Sequence, residues 1–264
     1  MLDVEFTQLT DPGRVREQNE DYLGYVLPHA SAQLRSHGCL FALADGVGGQ
    51  QKGEVASRVA VESLLDGFVR AKEGEPHKAL LTRLVQTANT QVYETGSSGS
   101  RTNMATTLVA CALRFDRAVV AHVGDSRCYL IRSGQPKQIT SDHTVVNEQA
   151  RLGILSAREA AESTNKHLLS RSVGNDMFVA VDINDVQIQK GDVLVLCSDG
   201  LYGPVPESDI ASAVMLNENL PSAAEKLVAL AKQRDGSDNI SVQLIRVHDV
   251  ERTGMYRGRP YKIR

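Results

Sequence analysis

The chain has 264 residues, 42% of them hydrophobic, and a net charge of −3 at pH 7, which is enough material for a single large domain. No apolar run approaches the roughly 20 residues of a membrane-spanning helix, and the first residues lack the basic and apolar stretches of a signal peptide, so we expect no membrane association. The last 14 residues carry a net charge of +4 and the remaining 250 carry −7, and an acidic body argues against a nucleic-acid-binding surface.

Four cysteines, Cys39, Cys111, Cys128 and Cys197, are scattered along the chain without a close pair. Each lies in or beside an apolar run that resembles a strand. This pattern predicts buried free thiols in a reducing compartment and disfavours a zinc site. We therefore expect a cytoplasmic protein.

A first strand is predicted over Val4–Leu9, where apolar and polar residues alternate. A turn signal at Asp11–Gly13 and the charged segment Arg14–Asp21 follow it. Charged segments of this kind are more often solvated loops than binding sites. This one ends at Asp21, at the entrance of a second predicted strand over Tyr22–Leu27, which weakens the solvated-loop interpretation.

The stretch Phe41–Gly49 combines a buried strand with a glycine turn. The apolar run Leu40–Leu43 leads into Asp45 and three glycines, which leave space for backbone groups to approach a ligand. The same design recurs at Val193–Gly200, where an apolar run ends in Asp199. Two strands that each end in Asp-Gly suggest two carboxylates that converge on one hard cation.

Two helices are predicted over residues 53–72 and 78–94 from apolar residues at helical spacing. Strand patterns follow at Met104–Leu113, Ala118–Val123 and Cys128–Arg132, with tight turns between them. Because short turns usually join neighbouring antiparallel strands, we interpret this middle part as an antiparallel meander.

Residues 141–170 are polar and irregular, and a segment of this length often forms a lid or a binding loop. The elements predicted after it are strands over 178–186 and 192–197, helices over Glu207–Leu216 and Ala223–Lys232, and a strand over Ile240–Val247. Two helix pairs separated by antiparallel strands favour an α+β fold with packed sheets inside and helices outside.

Aspartates stand at five strand ends or glycine turns, namely Asp21, Asp45, Asp125, Asp199 and Asp238. Each one alone is more often a turn residue than a ligand. Together they fit a hard cation, which needs oxygens from several separate elements. Two such ions about 3.5–4 Å apart activate a bridging water for attack on phosphorus, while an arginine holds the phosphate oxygens. The residues alone thus predict a metal-dependent hydrolase and leave its substrate open.

Six ordered segments resemble the motifs of the metal-dependent protein serine/threonine phosphatases, the PPM or type 2C family, in its compact bacterial branch. The segments are Arg16–Asp21, Ala44–Gly49, Met104–Val109, Val123–Arg127, Ser198–Leu201 and Ser237–Ser241. The resemblance covers the chain from Val4 to Val247. Six motifs in the right order are a much more specific signal than any one of them.

The resemblance implies a four-layer α-β-β-α sandwich, in which two antiparallel sheets pack face to face between helix pairs. It implies a single catalytic domain over residues 1–248, with a mobile flap over residues 141–170 beside the site. Residues 249–264 are a basic tail that we expect to be flexible, and a tail that docks a partner or an acidic surface is the alternative.

The resemblance also assigns metal ligands. Asp45 would bridge two Mn2+ or Mg2+ ions, with the Gly46 carbonyl as a further ligand. Asp199 and Asp238 would hold the first ion, and Asp21 the second.

Further roles follow from the same resemblance. The pair Glu20 and Asp21 would serve the second ion, directly or through water, with Asp21 favoured. Arg16 would clamp the substrate phosphate. Asp125 would bind a third, looser ion, for which His167 in the flap is a candidate ligand.

The chain departs from the family pattern at two positions. Val47 stands where eukaryotic members carry a histidine proposed as general acid, so water or another group must protonate the leaving alkoxide. Ala105 stands where glycine is common, and we expect its methyl group to shift the site slightly without abolishing it. Two other histidines have structural interpretations: His143 as a hydrogen-bonding residue near the flap and His122 as a core histidine.

The implied function is the hydrolysis of phosphoserine and phosphothreonine in proteins, by a monomeric bacterial signalling enzyme that acts with a cognate Ser/Thr kinase. One alternative is a catalytically silent, phosphoprotein-binding module of the same fold, which the presence of Asp45, Asp199 and Asp238 argues against. A hydrolase of small phosphate esters is the other, because the motifs describe the phosphate site and leave the leaving-group pocket undefined.

Overall fold

The computed structural model describes residues 2–47, 52–97, 104–156, 158–159, 163, 165, 167–217, 219–256 and 259–262, with backbone only for 253–256 and 259–262. The strands in these residues are β1 (Asp3–Asp11), β2 (Asp21–Val26), β3 (Cys39–Asp45), β4 (Leu108–Arg114), β5 (Arg117–Val123), β6 (Arg127–Arg132), β7 (Gln135–Gln138), β8 (Asp182–Gln187), β9 (Val193–Cys197), β10 (Ile240–Asp249), β11 (Thr253–Tyr256) and β12 (Arg259–Lys262). The helices are α1 (Ser31–Ser36), α2 (Gly53–Val69), α3 (His77–Ser97), α4 (Val145–Arg151), α5 (Asp199–Tyr202), α6 (Glu207–Leu216) and α7 (Leu220–Arg234).

The strands form two five-stranded sheets and a separate two-stranded ribbon. The order is β1-β10-β9-β6-β7 in the first sheet and β2-β3-β4-β5-β8 in the second. Neighbouring strands are antiparallel throughout both sheets. Strands β3, β4 and β9 are buried over nearly their whole length, which explains why their sequences read as continuous apolar runs.

The core lies between the two sheets and receives side chains from both. Phe41 and Val109 of the second sheet belong to the same cluster as Leu194 and Ile245 of the first. On the outer faces, α2 and α3 cover the second sheet, and α6 and α7 cover the first. The predicted four-layer α+β sandwich is confirmed.

Helix α2 shows why its sequence forms a surface helix. It buries a stripe at helical spacing that includes Ala56, Ala60, Leu64 and Phe68, and this stripe packs on the sheet. Among the described residues, no helix is both long and apolar enough to cross a membrane. The four cysteines are free and buried, as predicted.

The middle of the chain does not form the single meander that we predicted. Strands β4 and β5 pair in the second sheet, but β6 pairs with β9 in the first sheet. The crossing takes place at Gly124, whose φ of +101° redirects the chain. The first part of the predicted strand, before Leu108, lies outside β4 and forms two isolated bridges, from Thr106 to Gly46 and from Thr106 to Val173.

The basic tail contains paired backbone. Strands β11 and β12 pair as an antiparallel ribbon, with Thr253 opposite Lys262 and Tyr256 opposite Arg259. The expected flexibility of the tail stays a prediction. The assignment of residues 1–248 to one catalytic domain stays a prediction.

Candidate metal centre

Two neighbouring strands of the second sheet bring two of the predicted acids together. Asp21 is the first residue of β2, Asp45 is the last residue of β3, and the two are directly opposed in the antiparallel register. Opposed residues in such a pair project to the same face of the sheet. The fold therefore places both carboxylates on one face of the sheet, at one end of the sandwich.

The first sheet supplies the next two acids at the same end. Asp199 follows β9 and begins α5, and the residue before it, Ser198, donates its hydroxyl to Asp21 Oδ2 at 2.9 Å. Asp238 precedes β10, and the backbone N–H of Ser241 donates to Ser198 Oγ at 3.0 Å. Ser198 thus links the ends of three strands from two sheets.

The acids raise one another's pKa values because they are buried and close together. Burial raises the pKa of Asp21 to about 7 against the opposing effect of the Ser241 and Ser198 hydroxyls, and the charges of Asp199 and Asp238 add a smaller increase. Burial and then the charge of Asp21 hold the pKa of Asp45 well above its usual range. Burial and then the charge of Asp199 raise the pKa of Asp125 to about 7. A divalent cation at this position relieves both the desolvation and the repulsion.

Two local features fit a bound cation. Asp21 Oδ1 is buried, and no hydrogen-bond partner for it lies in the described part of the chain. A buried carboxylate oxygen without a partner is costly, and a metal ion is one way to satisfy it. At Gly46 a Cβ atom would lie 2.4 Å from the Gly53 carbonyl oxygen and 2.9 Å from that of Glu20, so only glycine fits there.

A second cluster contains the residues predicted for a third ion. One ligand atom from each of Asp125, His167 and Asp199 lies within 4.8 Å of the other two. His167 Nδ1 is 3.4 Å from Asp199 Oδ2, and Asp125 is 5% exposed. The fold thus brings His167 from the flap to the acids at the strand ends. Its role as a ligand stays a prediction.

Arg16 lies at the exposed side of the acid cluster. Its Nη2 donates to Asp238 Oδ2 at 3.0 Å, and both side chains are substantially exposed. Glu20 lies next to the start of α2, since a Cβ on Gly53 would be 2.9 Å from its carboxyl carbon. Burial raises the pKa of Glu20, and the charge of Arg16 opposes this. The assignment of the second ion to Asp21, with Glu20 beside it, stays a prediction.

Comparison with known proteins decides the family. The model of the family described as Protein phosphatase 2C matches residues 8–240. The chain belongs to this family. A serine/threonine phosphatase from Listeria welshimeri is 35% identical over 254 residues, which are 95% of this chain and 96% of the relative.

Solved structures agree. A serine/threonine phosphatase from S. agalactiae superposes with a TM-score of 0.85 at 33% identity, over 93% of this chain and 100% of the other. The catalytic domain of the phosphatase PstP, solved with two manganese ions, superposes with a TM-score of 0.78 at 31% identity, over 94% of this chain and 100% of the other. The predicted family is confirmed, and this Protein phosphatase 2C chain is a phosphoprotein phosphatase, as the motifs predicted.

Two residues that support the site were not predicted from the sequence. Thr107 Oγ1 accepts the N–H of Asp45 at 2.9 Å, and the N–H of Thr107 donates to the Asp45 carbonyl at 2.8 Å. Asn239 accepts the N–H of Glu20 at 2.9 Å and donates to the carbonyls of Pro12 and Gln18. Both residues stand inside the recognised motifs, so their position was the available signal, although neither residue type points to metal chemistry.

The remaining predicted positions are partly described. The carbonyl of Ala105 accepts the N–H of Val47 at 3.0 Å, so the site keeps a backbone link where the family often has glycine. His122 is 1% exposed and bonds the Ser141 carbonyl through Nε2 at 2.9 Å, as a core histidine does. The glycines of the turn at positions 48 and 49 lie outside the described residues.

Proposed function

We propose that this phosphatase hydrolyses phosphoserine and phosphothreonine in proteins and requires two Mn2+ or Mg2+ ions held by its converging aspartates. The observation that carries the proposal is the convergence of Asp21, Asp45, Asp199 and Asp238 from two sheets, with pKa values of Asp21 and Asp45 that are raised by burial and mutual repulsion. When bound, the two ions supply a water of lowered pKa and neutralise charge on the phosphate.

The residues of the chain have distinct tasks in this proposal. Asp45 would hold both ions, with the Gly46 carbonyl as a further ligand. Asp199 and Asp238 would hold the first ion. Asp21 would hold the second, and its orientation is fixed by the hydroxyl of Ser198 at 2.9 Å.

Substrate binding is assigned to Arg16. Its guanidinium pairs with Asp238 in this structure, which keeps a planar, always-charged donor at the edge of the acid cluster. A guanidinium of this kind binds two phosphate oxygens at once and stabilises the charge that develops on them. Because Val47 carries no proton donor, the leaving alkoxide takes its proton from water or from another group.

We further propose that Asp125 and His167 hold a third, looser ion. The short distances among Asp125, His167 and Asp199 support this. A monomeric, cytoplasmic enzyme that reverses the action of a cognate Ser/Thr kinase is the setting that we infer from the family. Phosphorylated proteins are then its substrates.

Hydrolysis of p-nitrophenyl phosphate and of a phosphothreonine peptide tests the proposal. We expect turnover that requires Mn2+, disappears with EDTA, and falls at least about 100-fold in Asp45→Asn, because loss of a residue that only supports a metal ligand already costs about 10- to 100-fold. Asp66→Asn is the matched control, because Asp66 is exposed on α2 and forms an exposed ion pair with Arg70 at 3.4 Å.

The alternatives correspond to other outcomes of the same assay. A folded protein without turnover under any metal indicates a silent phosphoprotein-binding module and contradicts the proposal. A clear preference for p-nitrophenyl phosphate and other small esters over phosphopeptides indicates a small-ester hydrolase.

A further inference from the structure

A buried histidine outside the acid cluster is tied to the turn that carries Asp125. His143 is 3% exposed and lies at the start of the flap. Its backbone N–H donates to the Gly124 carbonyl at 2.9 Å, and its ring Nδ1 accepts the N–H of Gly124 at 3.1 Å. Gly124 and His143 thus exchange two hydrogen bonds, directly before Asp125 in the chain.

The turn at Gly124 needs such support. Gly124 has a φ of +101°, and a Cβ there would lie 2.7 Å from Thr107 Cβ, so the position requires glycine. Glycine is the residue with the greatest backbone freedom in the absence of external contacts. The bond from its N–H to the His143 ring therefore restricts the peptide unit that leads to Asp125.

The same bond determines where the ring proton lies. Because Nδ1 accepts a hydrogen bond, a neutral His143 carries its proton on Nε2. This nitrogen faces Asp182 Oδ2 at 3.3 Å, and the other oxygen of Asp182 accepts a bond from Arg171 at 3.0 Å. Asp182 thus selects the tautomer that the Gly124 bond needs.

This tautomer also argues against a metal ion at the same place. Ligand atoms of His122, His143 and Asp182 lie within 4.8 Å of one another. A metal at His143 Nε2 would need a lone pair there, while Nδ1 already uses its own lone pair to accept from Gly124. A metal-bound histidine instead donates through its second nitrogen, so the cluster is better explained by the Gly124 hydrogen bond at Nδ1 and the contact of Nε2 with Asp182 at 3.3 Å.

His143 also closes the base of the flap. Its carbonyl accepts the N–H of Ser170 at 2.9 Å, and its neighbour Thr144 forms a bridge with Leu169. His167 lies directly before this pairing and reaches Asp199. His143 therefore contacts both the turn that carries Asp125 and the flap segment that carries His167, the two proposed ligands of the third ion.

We infer that His143 is a positioning residue for the third-ion site, which orients Asp125 through the Gly124 N–H and His167 through the base of the flap. The inference rests on the proposed function, because it takes Asp125 and His167 as ligands. Burial and then the charge of the neighbouring His122, whose ring stacks on His143 at 4.6 Å, lower the pKa of His143. The ring is therefore neutral at pH 7, as an acceptor must be.

Three substitutions separate the two ring contacts. His143→Asn keeps an acceptor near the place of Nδ1 and loses the group that faces Asp182. His143→Gln keeps a donor near the place of Nε2 and loses the acceptor for Gly124. His143→Leu removes both the acceptor for Gly124 and the group that faces Asp182, and the leucine side chain fills a similar volume.

The first measurement is amide hydrogen exchange of Gly124 in the metal-free protein, with the amide of Leu227 in the remote helix α7 as internal reference. We expect exchange at Gly124 to be about 3- to 10-fold faster in His143→Leu and His143→Gln, as for the loss of one net hydrogen bond, and close to wild type in His143→Asn. Unchanged exchange at Gly124 in His143→Leu overturns the inference. So does equal acceleration in all three variants, because that indicates a general packing role.

The second measurement counts bound Mn2+ by titration of each variant. We expect the weakest of the wild-type sites to lose affinity about 10-fold or more in His143→Leu and His143→Gln, and to recover in His143→Asn, while the tighter sites stay unchanged. Equal loss at every site overturns the link to the third ion. Absence of Mn2+ binding in wild type instead contradicts the proposed function itself, and the exchange measurement distinguishes the two failures.

Discussion

At the scale of single residues, a hydroxyl group connects the two sheets inside the acid cluster. Ser198 Oγ donates to Asp21 at 2.9 Å and accepts the N–H of Ser241 at 3.0 Å, and Ser198 is fully buried. Among the described residues, Asp21 Oδ1 has no hydrogen-bond partner. Ser198 therefore fixes the direction in which that oxygen points toward a cation.

Ser198→Ala tests this role. We expect a loss of about 1–3 kcal/mol in the free energy of unfolding, because a buried backbone N–H and a carboxylate oxygen lose their partner. The apparent affinity for Mn2+ should fall about 10- to 100-fold. Urea unfolding and Mn2+ titration measure the two effects. Ser63→Ala is the matched control, since Ser63 Oγ is buried and the described part of the chain offers it no hydrogen-bond partner. Equal effects in both variants contradict the assignment.

His77 allows a pH prediction outside the metal centre. It is 6% exposed and its Nε2 bonds the His37 carbonyl at 2.7 Å. Burial and then the charge of Arg114 lower its pKa to about 4, from about 6.5 in the unfolded chain. Since the folded pKa is depressed, the folded state binds fewer protons. Its contribution to stability is complete above about pH 6.5 and is lost as the pH falls toward 4.

His77→Gln keeps a donor for His37 and removes this titration. We expect the wild type to lose up to about 3 kcal/mol of unfolding free energy relative to His77→Gln between pH 7 and pH 4. Parallel urea titrations of the two proteins across this range measure the difference. A difference that does not change with pH contradicts the lowered pKa.

At the scale of elements, Arg127 at the start of β6 connects the first sheet to the flap and to α5. Its guanidinium makes three hydrogen bonds of 2.6–3.1 Å with both carboxylate oxygens of Asp142, and it lies 3.6 Å from the ring centroid of Tyr202. A planar, forked donor is needed to make both contacts at once.

Arg127→Lys keeps the charge and loses the fork. We expect a loss of about 2 kcal/mol in unfolding free energy, because the two-point carboxylate contact and the ring stacking disappear together. The control is Arg117→Lys, which affects an exposed pair with Asp185 and should change stability by less than about 1 kcal/mol. Equal effects of the two substitutions in urea unfolding contradict the account.

Strands that are buried on both faces could be predicted from the sequence, and strands without an apolar pattern could not. Strands β3 and β9 are continuous apolar runs that end in Asp-Gly, so the sequence predicts both the strands and their terminal acids. Strand β7 was not predicted, because Gln135–Gln138 has no apolar pattern and pairs only after the turn at Ser133 and Gly134, both with positive φ. The chain leaves the second sheet after β5 and enters the first sheet at β6. Two apolar runs joined by a glycine turn do not specify which strands they pair with, so the sequence did not predict this change.

The same distinction applies to the candidate site. Aspartates at strand ends are recognisable because an acid after an apolar run is unusual. Ser198, Asn239 and His143 act through hydrogen bonds to groups that are not their neighbours in sequence, with separations as large as 227 residues between Asn239 and Pro12. Such partners appear only when the two sheets are packed.

At the scale of the whole molecule, the acid cluster opposes folding until a cation binds. The folded-state pKa values of Asp21 and Asp125 are raised to about 7, far above the roughly 3.9 of an unfolded aspartate. The metal-free folded state therefore binds more protons than the unfolded chain. Protonation of the two aspartates stabilises the folded state at low pH, and this contribution is lost as the pH rises through about 7.

EDTA-treated protein should therefore be about 1–3 kcal/mol less stable at pH 8 than at pH 6. The comparison is made in the His77→Gln background, because unfolded His77 is still mostly protonated at pH 6 and its titration shifts stability in the opposite direction. Mn2+ at 100 times its dissociation constant should add about 2.7 kcal/mol at pH 8. Urea unfolding at both pH values, with and without Mn2+, measures these effects. Greater stability of the metal-free protein at pH 8 contradicts the predicted charge repulsion.

The most direct test of the account is anomalous X-ray scattering from a crystal of this protein soaked in Mn2+. The account predicts two strong peaks on either side of the Asp45 carboxylate, one beside Asp199 and Asp238 and the other beside Asp21, and a weaker third peak at Asp125. Asp45→Asn should lose the first two peaks. A soaked crystal with no peak at Asp45, or with strong peaks only at residues outside these acids, contradicts the two-metal centre.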